Sequence, residues 1–362
     1  MKRLLIINPG STSTKIAVFE GQNPVYEKKI NHTVGELARY EKIFDQKGFR
    51  KDAILGALSE AGLKAPDFDC IVGRGGLLDP IESGTYIVDE NMLTQLKSEK
   101  RGSHASNLGA ILAWEIGSPH GIPAYITDPV VVDELQDVAR LSGHPDLPRA
   151  SIFHALNHKA VGRRAASEMG KKYEDCNFVV AHLGGGISVG AHRKGRCIDV
   201  NDALGGEGAY SPERAGGLPA PGLVEMCFSG LPKDEVKKKL VGRGGMTAYL
   251  GTNDGTEIAK RIKNGDEYAD LIFKGMAYQV AKEIGAYSAV LSGDVDAIIL
   301  TGGLAYDEGF TSRVAEMASF IAPIRIYPGE DEMLALCEGA LRVLSNVEEA
   351  KTISFKTAPV LV

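Results

Sequence analysis

The chain has 362 residues, enough for two domains at a prior of roughly 150 residues each. Hydrophobic residues make up 44% and charged residues 24%, which supports a sizeable core and excludes a disordered or fibrous chain. Lys and Arg number 41 against 47 Asp and Glu, and this net charge of −6 argues against a general nucleic-acid binder.

Glycine is the outlier, with 43 residues gathered in short clusters, as expected where backbone must approach a ligand closely. The five cysteines are widely spaced with no C-x-x-C pair, so neither a metal staple nor a disulfide framework is expected. Only four apolar residues follow Met1-Lys2-Arg3, too few for a signal peptide. No stretch approaches the ~18 apolar residues of a membrane span. The expected compartment is the cytoplasm.

In chain order, short apolar runs at 4–7 and 16–19 flank the polar stretch NPGSTSTK at 8–15, and 25–30 follows as a third strand. A helix is expected over 51–62, a buried strand at 70–72, a helix over 103–117 opening at Ser103 or His104, and a strand over 122–126 ending at Asp128-Pro129. The opening pattern then recurs. Apolar 178–181, the turn HLGGG at 182–186, apolar 187–191 and a third strand at 196–200 repeat it about half a chain later. Helices near 255–263 and 268–291 follow. A strand at 296–300 is broken by Gly302-Gly303, and a helix over 311–320, a strand at 324–327 and a helix over 332–344 complete the half. A repeat this long indicates a duplicated α/β domain, not a solenoid. A cleft between the halves is the expected ligand site.

The 8–15 loop offers backbone N–H groups freed by Gly10, the hydroxyls of Ser11, Thr12, Ser13 and Thr14, and Lys15. Those groups suit a phosphate; an ordinary hairpin turn explains them equally well. No G-x-x-x-x-G-K-[ST] or G-x-G-x-x-G occurs. The loop at 182–186 poses the same choice between phosphate cradle and tight turn. Two such loops at equivalent points favour a clamp for a nucleoside triphosphate, with Gly302-Gly303 as a third point of close approach, near an adenosine moiety.

The stretches INPGSTSTK and VVAHLGGGISVGAHRKG (179–195) resemble the two signature segments of the acetate and butyrate kinase family, within the wider actin, sugar-kinase and Hsp70 superfamily. The resemblance continues through VGRGG (72–76), TDP (127–129), IFHALNH (152–158), TGG (301–303) and EDEM (330–333), and so covers nearly the whole chain. It implies two duplicated mixed-sheet domains of the ribonuclease H-like, actin-like ATPase fold, with the active site in the inter-domain cleft. The expected division is 1–150 plus about 335–362 on the acyl and phosphate side, and 151–334 on the nucleotide side. Short length, Pro9 and Thr12 in the first loop, and GGEGAYSPERAGGLP (205–219) look like the butyrate branch.

The implied reaction is reversible, in-line phosphoryl transfer between ATP and a short carboxylate, with Mg²⁺, giving an acyl phosphate and ADP. By the resemblance Arg74 and Arg214 grip the carboxylate and the transferring phosphoryl, His154 hydrogen-bonds that phosphoryl, and Asp128 is catalytic or organises magnesium. A turn Asp is the alternative for Asp128, and a packed helix-start histidine for His154 or His158. Ser11, Ser13, Lys15, His182, Gly184, Gly185, Gly186, Asp254, Gly302 and Gly303 are the expected phosphate and nucleotide contacts, although an Asp-Gly turn explains Asp254 equally. Asn8 and Glu332 are the metal-linked positions, with Asp331 as the alternative to Glu332. The acyl pocket is expected from Gly76, Ser103, His104, Phe153 and Pro212. Gly76 and Ser103 stand where acetate kinases carry branched apolar residues, so a roomier pocket and a longer acyl chain are implied.

The Lys-rich run at 233–243 reads as the solvated face of a helix. A homodimer or higher homo-oligomer is expected, with no nucleic-acid or membrane partner. Acetate, propionate and isobutyrate are alternative acceptors. An actin- or Hsp70-like ATP-driven assembly or chaperone protein is the alternative of a different class.

Overall fold

The computed structural model describes residues 1–353. The chain divides into two units, Met1–Val132 with the chain from Asp331 on, and Asp133–Glu330. The division falls earlier than the expected 150/151 because the irregular stretch after 132 is tied to the second unit. There Lys159 Nζ donates to Glu134 Oε2 (2.5 Å), the Gln136 N–H to the Ile198 carbonyl (3.0 Å) and Arg149 to Asp199 (2.8 Å). The second crossing falls at Glu330/Asp331, where Asp331 caps the final helix, rather than at 334/335. The end of the expected 335–362 segment lies outside the described residues.

In the first unit β1 (Arg3–Pro9), β2 (Ser13–Glu20), β3 (Asn23–Asn31), β4 (Cys70–Gly73), β5 (Thr85–Ile87) and β6 (Ala124–Thr127) form one sheet in the order β3-β2-β1-β4-β6-β5. β1, β2 and β3 are antiparallel neighbours, and β4 and β6 extend the sheet in parallel from β1. Leu5, Ile7, Ile16 and Val18 point to one face, as the period of two requires, and share a core with Ile54 of the helix Lys47–Glu60 and Leu108 and Ile111 of the helix Asn107–Gly117. The helix Glu332–Leu344 packs on β1, β4 and β6, with Gly339 against Thr127, whose neighbour Ile126 faces the first core.

The second unit repeats this connectivity. β7 (Asn177–Leu183), β8 (Ile187–Arg193), β9 (Arg196–Val200), β10 (Ala297–Gly302) and β11 (Ile324–Pro328) lie in the order β11-β10-β7-β8-β9. Numbered from β7 this is 5-4-1-2-3, and β6-β4-β1-β2-β3 of the first unit follows the same order once the edge strand β5 is set aside. Every residue of β7 is buried, as befits a strand covered on both faces. Val179, Ala181 and Leu183 join Met276 and Val280 of the helix Glu267–Val290, whereas Phe178 and Val180 join Val161 and Ala165 of the helix Ala155–Glu168.

The helix expected from 103 begins at Asn107. Ahead of it, the His104 ring accepts from the Ser106 N–H (3.2 Å), and Asn107 Nδ2 donates to the Gly102 carbonyl (3.0 Å). Such local side-chain bonds compete with the helical ladder. The helix Glu90–Ser98, capped by Asp89, and the three-residue β5 were not expected. Lys233–Leu240 is a helix that buries only Val236. Among the described residues no helix is long and apolar enough to cross a membrane.

Candidate functional site

In the first unit the 8–15 segment is the turn between β1 and β2, with Asn8 paired to Lys15. Ser11 and Lys15 are exposed and Ser13 half-buried. What shapes this turn is Arg50, only 1% exposed, on the core-facing side of the helix Lys47–Glu60. Its Nη1 donates to the carbonyls of Gly10 (2.9 Å) and Ser13 (3.1 Å) and to Thr14 Oγ1 (3.1 Å). Its Nη2 reaches the Ser11 carbonyl (3.1 Å) and Gln46 (2.9 Å). In a trans peptide the carbonyl and the following N–H point opposite ways. Drawing the Gly10 and Ser11 carbonyls inward therefore turns the N–H groups of Ser11 and Thr12 away from the core. Arg50 escaped the sequence reading. The available signal was a charge on the helix face that also carries Ile54, Ala57 and Leu58.

Arg74 follows β4, and its guanidinium forms an ion pair with Glu332 Oε1. The other oxygen of Glu332 accepts from Asn8 Nδ2 (2.6 Å). The helix Glu332–Leu344 thus brings Glu332 to the strand ends carrying Asn8 and Arg74. Asp331 instead caps that helix through the Leu334 N–H (3.0 Å). A Cβ on Gly73 would strike the Gly109 backbone, so two glycines let the helix Asn107–Gly117 lie close beside Arg74. Desolvation and the Arg74 charge lower the His104 pKa. Ser103 is exposed and donates to Glu99 (2.7 Å).

Gly76 corrects the pocket expectation. A Cβ there would lie 2.6 Å from Asn107 Cα and 2.9 Å from Leu96 Cδ2, so the space its missing side chain leaves is already filled by protein. Asp128 is 1% exposed and sits at φ 40° just past β6. Its Oδ1 accepts from Ser83 Oγ (2.6 Å) and the Gly84 N–H (2.8 Å), so it holds a turn.

In the second unit His154 opens the helix Ala155–Glu168 and His182 lies near the end of β7. Their rings stack at 3.7 Å with 12° between planes. His182 Nδ1 is 3.0 Å from Asn157 Oδ1, and Nε2 is 3.8 Å from Glu330. The loop Gly184-Gly185-Gly186 is bound to the next part of the site by Ser211, whose Oγ donates to the Gly185 carbonyl and accepts from the Arg214 N–H. The Arg214 guanidinium lies against Gly186, where a Cβ would collide with it, and donates from Nη1 to the Ala203 carbonyl. Its Nε is buried with no acceptor, and desolvation lowers its pKa. An unsatisfied buried donor on a cation is the kind of group that an anionic ligand satisfies.

Gly302 ends β10 and Gly303 begins a short 3₁₀ turn, as the sequence break requires. Phe153 packs edge-on against His158 (5.1 Å), and Pro212 is buried beside Ser211. Asp254 is exposed and caps the helix Gly255–Lys263 through the N–H groups of Thr256 and Glu257, which agrees with the turn reading. The structure therefore gathers Asn8, Arg74 and Glu332 in one unit, and His154, His182, Gly184–186 and Arg214 in the other.

Among the described residues no three His, Cys, Asp or Glu side chains form a metal cluster. Asn8 and Glu332 offer hard oxygen donors with a single carboxylate. That donor set fits Mg²⁺, which takes one or two carboxylates and otherwise keeps water and substrate phosphate.

A sequence profile of the Acetokinase family matches residues 148–319. Butyrate kinase 2 of Clostridium acetobutylicum is 56% identical over 350 residues, spanning 96% of this chain and 98% of that protein. Among solved structures, the acetate kinase of Porphyromonas gingivalis superposes with a TM-score of 0.79 at 18% identity, over 95% of this chain and 100% of that one. A propionate kinase from Francisella tularensis subsp. tularensis reaches 0.72 at 18% identity, over 94% and 99%. At such low identity these two structures speak for the fold alone.

Proposed function

The chain belongs to the acetokinase family, and from that premise we propose that it catalyses reversible phosphoryl transfer between ATP and butyrate, giving butanoyl phosphate and ADP. The observation that carries the choice of acid is the 56% identity, over nearly the full length of both chains, to a butyrate kinase. That full-length match also favours a kinase over an ATP-driven assembly or chaperone protein.

The chemistry explains why the candidate residues are mainly cations and hydrogen-bond donors. A carboxylic acid with a pKa of about 4–5 is ionised at neutral pH, so the nucleophile needs no general base. The difficulty is bringing this anion to an anionic phosphoryl group, which makes positioning and charge stabilisation the main demands. Arg74 receives the butyrate carboxylate. Its planar fork suits bidentate contact, and Glu332, itself steadied by Asn8, fixes the guanidinium orientation. Arg214, with its buried unpaired Nε, contacts the transferring phosphoryl, and His154 donates to the same group. His182, Gly184, Gly185 and Gly186 hold phosphates, and Gly302 and Gly303 lie against the adenosine. Ser11, Ser13 and Lys15 add donors from a turn whose N–H groups Arg50 directs outward. Asp128 positions the strand end that carries it. Mg²⁺, held by Asn8 and Glu332 in part through water, would neutralise phosphate charge. The cytoplasm, where ATP is abundant, is the compartment this reading implies.

Without Gly76 as open space, preference for butyrate rests on burial of its extra carbons. Two methylenes are worth about 1.6 kcal/mol, roughly fifteenfold, so discrimination against acetate is modest. The test is trapping of acyl phosphate with hydroxylamine, using ATP, Mg²⁺ and straight and branched C2 to C6 acids. The expected product peak is at butyrate. A peak at acetate or isobutyrate would correct the acid, and acid-independent ATP hydrolysis would overturn the kinase reading.

A further inference from the structure

Behind His154 runs a buried series of polar groups that the reaction described above does not use. His154 Nδ1 lies 2.9 Å from Ser188 Oγ, and the same hydroxyl lies 2.9 Å from His158 Nε2. His158 Nδ1 is 3.1 Å from His192 Nε2, and His192 Nδ1 is 2.6 Å from the Tyr173 hydroxyl. Ser188, His158 and His192 are 0% exposed and Tyr173 is 4% exposed. Two periodicities build the series. His154 and His158 are one helical turn apart at the start of one helix, while Ser188 and His192 share one face of β8.

We propose that Tyr173, His192, His158 and Ser188 are positioning residues that fix the tautomer of His154, placing its ring proton on Nε2 so that it donates to the transferring phosphoryl. The inference rests on the reading of His154 as that donor. Burial keeps His158 and His192 neutral, each with one N–H and one acceptor nitrogen. With the Ser188 hydroxyl accepting from one of its two histidine neighbours and donating to the other, the series has two senses. If Tyr173 donates to His192 Nδ1, then His192 Nε2–H donates to His158 Nδ1 and His158 Nε2–H to Ser188 Oγ. Ser188 then donates to His154 Nδ1, and the His154 proton sits on Nε2. In the opposite sense that proton sits on Nδ1, and a lone pair on Nε2 would face phosphoryl oxygens.

The Tyr173 end selects the first sense. Lys159 Nζ lies 5.7 Å, and the Arg163 guanidinium 5.5 Å, from the centre of the Tyr173 ring. Cations over the ring draw electron density from it, strengthen the phenol as a donor and disfavour it as an acceptor. No proton needs to travel along the series. Carboxylate and ATP give acyl phosphate and ADP with the total charge unchanged, so the series acts by orientation.

The test uses the full chain carrying [¹⁵N]histidine. Two-bond ¹H–¹⁵N correlations report the tautomer of each of the eight histidines. The His154 signals are identified by their loss in His154→Gln. Wild type is expected to show a protonated Nε2 and an unprotonated Nδ1 on His154. Tyr173→Phe and Ser188→Ala should each move the His154 nitrogens toward averaged shifts. Each should also lower kcat about tenfold, with both KM values held within about twofold. A purely structural role would lower stability and leave the tautomer unchanged. A proton on Nδ1 in wild type, or unaltered His154 shifts in both variants, would overturn the proposal. If Tyr173→Phe does not fold, Ser188→Ala and the wild-type spectrum still decide. A wild-type protein that forms no acyl phosphate would instead overturn the functional reading, which the spectrum does not depend on.

Discussion

Arg74 and Glu332 lie 258 residues apart in sequence and form one ion pair. Removing the guanidinium takes away a donor needed as charge develops, so Arg74→Ala should lower kcat by about 10²–10³-fold while nucleotide affinity stays close to wild type. Turnover near the wild-type rate would contradict the role given to Arg74. Two buried histidines also make stability depend on pH. His158 and His192 titrate near 6.5 when unfolded, but in the fold burial holds both well below that value. Below about pH 6.5 the unfolded chain therefore binds up to two more protons than the native chain. Stability falls as the pH is lowered, with a limiting slope from the pair of about 2.7 kcal/mol per pH unit, and the pair adds no dependence above about pH 7.5. Urea midpoints at pH 7.5, 6 and 5 check this, and a midpoint unchanged down to pH 5 would contradict it. Arg74 stands out in the sequence because it lies among glycines within a recognisable segment. The His158–His192 contact does not, because only strand pairing and helix packing bring positions 158 and 192 together.

At the scale of elements, the β1–β2 turn depends on a helix that the sequence did not connect with it. Arg50→Met keeps much of the volume and removes every guanidinium donor to the part-buried Gly10 and Ser11 carbonyls, while the Ser13 carbonyl keeps its bond from the Gly10 N–H. A loss of roughly 3 kcal/mol by urea unfolding is expected, together with a fall in kcat/KM of at least about tenfold as the turn loses its shape. Normal stability would show that Arg50 is not the buttress. Gly76→Ala tests the corrected view of the pocket. Overlap with Asn107 and Leu96 should cost about 1–3 kcal/mol of stability without shifting preference toward shorter acids. A stable variant with a shifted acid profile would restore Gly76 to the pocket wall. Strands with strong apolar runs, such as β1 and β7, were legible in the sequence. The three-residue β5 has too few residues to show a period, and the late start at Asn107 follows from local bonds of His104 and Asn107 that no hydrophobic pattern records.

For the whole molecule, the duplication seen as two loops between short strands is now a duplication of strand order, 5-4-1-2-3 in the second unit and the same in the first apart from its additional edge strand β5. The repeat was readable because its strands are local in sequence. The boundary at Val132/Asp133 was not, because the irregular stretch that follows has no period and is assigned only by its bonds to Ile198, Asp199 and Lys159. The proposed reaction requires a carboxylate oxygen to attack phosphorus. Incubating the protein with ATP, Mg²⁺ and [¹⁸O₂]butyrate and following the product by ³¹P NMR detects this attack. The expected product is an acyl phosphate whose phosphorus resonance carries the isotope shift of one bridging ¹⁸O. Inorganic phosphate formed at the same rate with and without butyrate, and no ¹⁸O-shifted acyl phosphate, would contradict it.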